Sequence, residues 1–402
     1  MKRLLLVSHR PITQDAGPAA RWRSLARRLP GLGWELDTLS AAERAGNVEF
    51  AQDARARTLV RRRAAVMGTI GRISGPVFGL AGVRPEAMPL SMAWVPRGAA
   101  RVRQRLREEQ YDVVVATGPP MAGLLAARLG HRVARPPLIL ELRDLWAGNP
   151  SFDRRGGLLG TLESFTLRPA AAIVACTPEA ADDLRRRHPG LTGRVHEIPN
   201  GFEPELLERR NGNPLPSPGE PLTILHSGTL TTDRPLTPLL RLLARDPWRR
   251  SFRLVLHGHL APPIVHQVSE ASDAVSIEVL EPSTWSDAVA RIAASDVGLV
   301  TQARTAGDST AVASKVYEYL ALGKPVLCLS HGGATERLLR RLDADELCGR
   351  LDDERSIELA LERLRKRRVS APLDRAALAP YDRHALARDM ANLLGAVSDR
   401  SE

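Results

Sequence analysis

Residues 314–333 read SKVYEYLALGKPVLCLSHGG, a short helical stretch that ends at Gly323 and is followed by a short apolar strand. A strand that is apolar throughout is buried on both faces, as in a parallel sheet. Lys315 and Glu318 lie three residues apart, so they share one face of the helix. The pair is either a solvated ion pair or part of a ligand site, and the surrounding sequence bears on that choice.

The same alternation of short apolar strands with helical stretches extends along most of the chain. The predicted strands are RLLLVSH, DVVVATG, PLILEL, AIVAC, RVHEIPN, LTILHSG, FRLVLHG, SIEVL, DVGLVT and PVLCLS, with stretches such as AGLLAARLG and WSDAVARIAAS between them. This order predicts an α/β fold with right-handed crossovers. The pattern runs twice, on either side of a segment rich in proline, glycine and asparagine at 200–221, which is typical of a linker.

We therefore predict two Rossmann-like, doubly wound domains facing a cleft. Residues 1–205 form the first domain and 206–380 the second, and 381–402 form a final amphipathic helix. The glycine- and proline-rich segment 66–96 has no clean period. It is either an excursion of the first domain that shapes a substrate pocket or touches a membrane surface, or a poorly periodic helix pair packed on the core.

Composition narrows the class of protein. The chain has 402 residues, 43% of them hydrophobic, and three scattered cysteines, which fits a reducing compartment and a cytoplasmic location. No apolar run approaches the length of a membrane span. The net charge of +11 is almost entirely arginine, which indicates either the codon bias of a GC-rich genome or a polyanionic partner. With only 4% aromatic residues and no basic strand interleaved with them, nucleic acid is not an expected partner.

Two loops of the second domain contain groups suited to phosphate. HSGTL, at 226–230, joins a strand to a helix, where Gly228 permits a tight turn and Arg234 could bind phosphate oxygens; an ordinary turn is the alternative. In the second loop, Ser314 is a candidate N-cap that leaves the helix start free for an anion, with Lys315 beside it. Glu318 is a fixed acceptor that suits the vicinal hydroxyls of a ribose.

The first domain offers a different set of groups. LELRDLW, at 140–146, ends a buried strand with Arg143 and Asp144, which form either an acceptor-side site or a structural ion pair. The first strand-to-helix loop lacks GxGxxG, and the chain contains no GxxxxGK[ST]. No histidine or cysteine spacing suits a metal, and the single DxD, Asp343–Asp345, is interpreted as surface. We therefore predict no metal, so that lysine and arginine must neutralise the leaving phosphates.

Together these motifs resemble the family 4 glycosyltransferases, which are retaining enzymes of the two-domain GT-B fold. The resemblance rests on SHRP…AAR, VVVATGPP, LELRDLW, EIPNGFEPE, LHSGTL, LVLHG and SKVYEYLALGKPVL, in the family's order and over nearly the whole chain. PNGFEPE and SKVYEYLALGKPVL are the most specific of these. The combination is most similar to the branch that builds bacterial surface polysaccharides, especially the amino-sugar transferases.

The resemblance implies metal-independent transfer with retention, without a cofactor beyond the nucleotide diphosphate sugar that is the co-substrate. It implies that the donor lies on the second domain, that the acceptor enters from the first, and that the final helix packs back on the first. The acceptor is a lipid-linked sugar at the inner membrane face, with peripheral membrane contact, or a small molecule such as a hydrophobic aglycone. The predicted catalytic residues are Arg143, Asp144, Arg234 and Lys315, and the predicted donor-binding residues are Gly17, Gly228, Thr229, Ser309, Thr310, Ser314, Val316 and Glu318.

The sequence departs from the family pattern at two positions. Thr310 stands where the family often has a glutamate that contacts the donor sugar, and Thr229 stands where an arginine often follows the loop glycine. Donor recognition must then use other groups, such as Asp308, Ser309 or the backbone. A non-catalytic protein that binds nucleotide sugars is the alternative function.

Overall fold

The computed structural model describes residues 1–13, 17–42, 89–131, 136–147, 157–210, 220–232, 234–302, 310–366 and 372–400. These form two compact units. Unit 1 comprises Met1–Ile198 with Ala387–Glu402, and unit 2 comprises Pro199–Leu386. Ser309, Asp308 and most of the segment 66–96 lie outside the described residues, so the predictions made for them stay predictions.

Unit 1 is built on a six-stranded sheet in the order β2-β1-β3-β4-β5-β6, and all its strand pairs are parallel. Its strands are β1 (Lys2–Ser8), β2 (Trp34–Leu39), β3 (Val113–Gly118), β4 (Leu138–Leu142), β5 (Ala172–Ala175) and β6 (Val195–Glu197). Its helices are α1 (Gly17–Arg28), α2 (Pro89–Met92), α3 (Val95–Glu108), α4 (Ala122–Gly130), α5 (Gly157–Leu167) and α6 (Pro178–Arg187). Short 3-10 turns lie at Pro30–Leu32 and Pro189–Arg194.

Unit 2 repeats this plan with a six-stranded parallel sheet in the order β12-β11-β10-β7-β8-β9. Its strands are β7 (Leu222–Ser227), β8 (Phe252–His257), β9 (Ile277–Leu280), β10 (Val297–Thr301), β11 (Val326–Ser330) and β12 (Cys348–Arg350). Its helices are α7 (Glu205–Glu208), α8 (Thr237–Leu243), α9 (Trp248–Ser251), α10 (Pro262–Ala271), α11 (Trp285–Ala294), α12 (Lys315–Ala321), α13 (Ala334–Arg341), α14 (Glu354–Arg365) and α15 (Arg375–Leu378). The last helix, α16 (Arg383–Asp399), follows a 3-10 turn at Ala379–Tyr381 and passes from unit 2 into unit 1.

Two doubly wound α/β units were predicted, and the two sheets with their flanking helices confirm that architecture. All ten predicted strands are present. The two strands that the sequence did not reveal, β2 and β12, are each at one edge of a sheet. An edge strand is covered less completely than a central one, so it can carry polar residues, as WELDTL in β2 and CGR in β12 do.

The core of unit 1 contains a buried carboxylate that ties several elements together. Glu141 on β4 is fully buried and accepts hydrogen bonds from Arg21 Nε at 2.8 Å, Trp22 Nε1 at 2.6 Å and Thr117 Oγ1 at 2.6 Å. Arg21 also donates to the carbonyl of Ile198 at 2.9 Å. Burial opposes ionisation of Glu141, but Arg21 and these donors outweigh it and lower the pKa. The cluster therefore joins α1, β3 and β4 through one satisfied charge.

Among the helices of the described residues, none is both long enough and apolar enough to cross a membrane.

Candidate functional site

The turn after β7 requires glycine. Gly228 has φ +126°, a backbone conformation that L side chains rarely adopt, and its N–H donates to the carbonyl of His257 at 2.7 Å. A Cβ at this position would lie 2.7 Å from the Nζ of Lys315. Gly258, with φ +130°, lies against the backbone carbonyl of Gly228, where a Cβ would collide with it. Two loops thus approach closely, and the Lys315 ammonium group occupies the space beside Gly228.

Helix α12 is fixed to β7 by one buried tyrosine. The hydroxyl of Tyr319 donates to the carbonyl of Leu225 at 3.1 Å and accepts from the N–H of Ser227 at 3.1 Å. The tyrosine ring lies over Gly298 on β10, where any side chain would overlap it. Burial raises the pKa of this hydroxyl, so it stays protonated and can keep both hydrogen bonds. Lys315 and Glu318, on the same helix, are positioned by this attachment.

Lys315 is partly buried and faces three charged or titratable groups. Its Nζ lies 3.1 Å from the Nε2 of His226, and the charges of Arg234 and Glu318 also act on it. Burial, followed by the charge of Arg234, lowers the pKa of Lys315 to about 7, while Glu318 acts in the opposite direction. An amine of this kind, in a site poor in counter-charge, is suited to an anionic ligand.

Arg234 adds a second cation to the same place. Its backbone N–H donates to the carbonyl of Thr231 at 2.9 Å, which closes the turn that holds it. Its side chain is partly buried, and the Nε atom has no hydrogen-bond partner within the described parts of the chain. A guanidinium with an open donor is suited to phosphate oxygens.

Glu318 is the acidic group of the site. Its Oε1 accepts a hydrogen bond from the indole N–H of Trp285 at 3.0 Å. Trp285 is the first residue of α11, a helix whose start is stabilised by a capping box between Thr284 and Asp287. Burial raises the pKa of Glu318, with Glu203 acting in the same direction, while Trp285, Arg383 and Lys315 lower it. One carboxylate oxygen is thus held in place, and the carboxylate can accept further hydrogen bonds.

The PNGFEPE segment, residues 199–205, contributes to the surroundings of Glu318. Glu203 pairs with Arg383 at 2.8 Å, and the N–H of Phe202 donates to the carbonyl of Tyr381 at 3.1 Å. Gly201 lies against that same Tyr381 carbonyl, where a Cβ would not fit. The segment therefore holds the start of α16 within unit 2, and its glutamate is one of the charges that act on Glu318.

The prediction of an anion site at the start of α12 is wrong in one respect. Ser314 precedes the helix but forms no capping hydrogen bond with its side chain. The N–H of Val316 donates to Ala313 at 3.0 Å, and that of Tyr317 donates to Ser314 at 3.3 Å, so neither is free for a ligand. The Val316 side chain is fully buried. Two N–H groups of the first turn of this seven-residue helix are therefore already used, which leaves the cationic side chains as the main groups for an anion.

The remaining predicted residues are divided between the two units. Thr229 and Thr310 lie in unit 2, next to Gly228 and before α12 respectively; Thr229 is exposed and Thr310 is partly buried. Gly17 begins α1 in unit 1. Arg143 and Asp144 follow β4, with the N–H of Arg143 donating to Gly118 at 2.9 Å and its guanidinium donating to the Pro119 carbonyl. The roles assigned to all of these residues stay predictions.

Two contributors were missed at the level of sequence, namely His226 and Trp285. His226 is the second-last residue of β7 and lies two residues before Gly228, and a titratable residue at that point was the available signal. Trp285 begins a helix after β9 and remains partly exposed at 36%, which is unusual for an aromatic in this chain. Asp343 of the DxD is exposed and Asp345 pairs with Arg340 at 3.2 Å, as expected of a surface segment.

The family comparison covers the first part of the chain. Residues 16–201 match the family model described as glycosyl transferase 4-like domain. No curated protein sequence matches the chain significantly.

Solved structures cover the whole chain. HepE from Anabaena, in complex with UDP and glucose, aligns with a TM-score of 0.64 at 15% identity, covering 98% of this chain and 100% of HepE. Sucrose-phosphate synthase from Thermosynechococcus elongatus aligns with a TM-score of 0.63 at 15% identity, covering 100% and 97%. A glycosyltransferase from Rickettsia africae aligns with a TM-score of 0.63 at 12% identity, covering 98% of each chain. The chain therefore has the GT-B fold, as the sequence predicted.

Proposed function

We propose that this protein is a retaining, metal-independent glycosyltransferase that moves a sugar from a nucleotide diphosphate sugar to an acceptor hydroxyl. The observation that carries the proposal is the cluster in unit 2, where Lys315 and Arg234 lie beside the glycine turn and Glu318 lies one helical turn further along. Two cations and a held carboxylate are complementary to a diphosphate joined to a ribose. The match of residues 16–201 to a glycosyl transferase 4-like domain, and the UDP-glucose complex of HepE, support the same assignment.

In this proposal each group has a defined task. The Lys315 ammonium group and the Arg234 guanidinium neutralise the charge that develops on the leaving diphosphate. Glu318 binds the ribose hydroxyls and fixes the nucleotide in register with the reacting sugar. Arg143 and Asp144 in unit 1 bind the acceptor. Gly17, Thr229 and Thr310 contact the donor, and Thr310 supplies a hydroxyl where the family often supplies a carboxylate.

We further propose a role in building a bacterial surface polysaccharide or glycoconjugate, on the cytoplasmic side of the membrane. This rests on the sequence resemblance to that branch of the family and on three free cysteines, which suit a reducing compartment. A small hydrophobic aglycone is the alternative acceptor, since the apolar segment 66–96 suits either one.

Product analysis with a panel of nucleotide sugars and acceptors tests the proposal. We expect a product that has gained one sugar, with the donor's anomeric configuration by NMR and undiminished yield in the presence of a chelator. Lys315→Ala and Glu318→Ala should abolish most of the turnover. Nucleotide-sugar binding without transfer across the panel would favour the non-catalytic alternative, and an inverted product or loss of activity with chelator would overturn the proposed mechanism.

A further inference from the structure

His226 is a buried polar residue in a mostly apolar strand. It is 2% exposed at the end of β7, in a strand whose other inward residues are apolar. Both of its ring nitrogens have partners, since Nδ1 lies 3.2 Å from the carbonyl of Leu299 and Nε2 lies 3.1 Å from the Nζ of Lys315. A buried polar ring is stable only when its hydrogen bonds are satisfied, so these two contacts define its orientation.

The charges around His226 define its protonation. A carbonyl can only accept, so Nδ1 carries the proton that is donated to Leu299, and Nε2 is left as an acceptor. Lys315 and Arg234 are the cations that act on the ring, and burial together with them lowers its pKa well below the usual range, while contacts with the backbone of Leu299 and Thr229 oppose the shift. The imidazole is therefore neutral and directs a lone pair at the Lys315 ammonium group.

We propose that His226 is a positioning residue that fixes the ammonium group of Lys315 beside Gly228 and keeps it protonated for a nucleoside diphosphate. The inference rests on the proposed function, because it assigns a further residue to the proposed donor site. Without the acceptor at Nε2, the buried ammonium group would lose its fixed partner. The neutral amine would then be favoured, and a neutral amine cannot offset phosphate charge.

The chain provides a matched control in His257. It ends the neighbouring strand β8, is 4% exposed, and lies in register with Ser227. Its ring contacts the hydroxyls of Ser227 at 3.3 Å and Ser283 at 2.9 Å rather than an ammonium group. Replacing His257 removes a buried imidazole from the carboxyl end of the neighbouring strand without removing the acceptor of Lys315.

Titration of Lys315 in the free protein tests the inference without any ligand. The chain has four lysines, so protein labelled with isotopic lysine gives few side-chain NMR signals. The signal that is absent from the Lys315→Arg variant is that of Lys315. We expect a midpoint at about pH 7 in the wild type. His226→Leu should move the midpoint to lower pH, His226→Gln, which retains an acceptor, should restore it, and His257→Leu should leave it in place.

The inference is overturned if His226→Leu leaves the Lys315 midpoint unchanged, or if His257→Leu moves it equally. His226→Met serves as a second variant that lacks the acceptor, should the leucine variant fail to fold.

Calorimetry with UDP separates this inference from the proposed function. If the midpoint falls from pH 7 to about pH 6, the affinity loss of His226→Leu should be about tenfold at pH 8 and about twofold at pH 6. An equal loss at both pH values would indicate a merely structural role and overturn the inference. If the wild type binds neither UDP nor any other nucleoside diphosphate, the proposed donor site fails, whereas the lysine titration still decides whether His226 acts on Lys315.

Discussion

Gly228→Ala changes the smallest part of the proposed donor site and should have two separable effects. The new Cβ would lie 2.7 Å from the Nζ of Lys315 and 3.3 Å from its Cε, so the lysine must move away from the turn. An alanine at φ +126° also strains the backbone, at a cost of about 1–3 kcal/mol. We therefore expect weaker nucleotide binding together with a lower melting temperature.

The magnitudes follow from the contacts that are lost. A hydrogen bond from a charged group is worth about 1.5–3 kcal/mol, which corresponds to a loss of about 10- to 100-fold in UDP affinity. The strain should lower the melting temperature by about 2–4 °C per kcal/mol for a unit of this size. Isothermal titration calorimetry with UDP and a thermal melt measure the two effects.

Gly33→Ala separates strain from displacement of the lysine. Gly33 has a comparable φ of +88°, but a Cβ there meets no atom within 4 Å, so only stability should fall. In a double-mutant cycle, Gly228→Ala combined with Lys315→Ala should bind UDP no more weakly than Lys315→Ala alone. Wild-type UDP affinity in Gly228→Ala, or full additivity in the cycle, would refute the reasoning.

Four further changes test other parts of the account. Glu318→Gln should weaken UDP binding by about 10-fold or more, with a much smaller loss for a UDP analogue without ribose hydroxyls, because those hydroxyls are its proposed partners; equal losses by calorimetry would contradict this. Lys315→Met should raise the free energy of unfolding of unit 2 in urea below about pH 7. This gain should fade as the pH rises toward 10.5, because over that range the unfolded chain keeps the lysine proton that the folded chain has lost. A gain that does not change with pH would contradict the low pKa of Lys315. Tyr319→Phe should cost about 1–3 kcal/mol in urea unfolding, because it leaves a buried N–H and carbonyl of β7 without their partner. Glu141→Ala should cost about 3–5 kcal/mol, because Arg21 stays buried without its carboxylate, whereas Glu278→Ala, which removes the exposed partner of Arg253, should cost about 0–1 kcal/mol; similar costs for both would argue against the buried cluster.

The sequence predicted the central strands better than the edges for a physical reason. A strand such as β3, VVVATG, is buried along its whole length and therefore begins with a run of apolar residues. The edge strand β2 has its two ends buried and its middle half-exposed or exposed, so WELDTL resembles a loop. The period of hydrophobicity reports burial, and it becomes uninformative where burial is incomplete.

The residues of the site could likewise be predicted where they are close in sequence, and not where they are distant. Lys315 and Glu318 could be placed together because three residues in a helix bring side chains onto one face. The partners of these two residues are far away in sequence, with His226 separated from Lys315 by 89 positions and Trp285 from Glu318 by 33. Such contacts depend on strand order and on how closely two glycine turns approach, and neither is encoded by local spacing.

The prediction for Ser314 failed for a related reason. A small polar residue before a helix favours a side-chain cap, but here the backbone forms the first turn through Ala313 and Ser314 carbonyls. The competing hydrogen bonds come from the polypeptide that leads into the helix, whose course the residue types do not specify. The cationic character of the site therefore depends on Lys315 and Arg234.

A crystal structure of the protein with UDP is the most direct test of the central claim, that unit 2 holds the donor. We predict diphosphate oxygens within hydrogen-bond distance of Lys315 Nζ and the Arg234 guanidinium, and ribose hydroxyls on the Glu318 carboxylate. A nucleotide bound elsewhere, or one whose diphosphate does not contact Lys315 and Arg234 and whose ribose does not contact Glu318, would contradict the account.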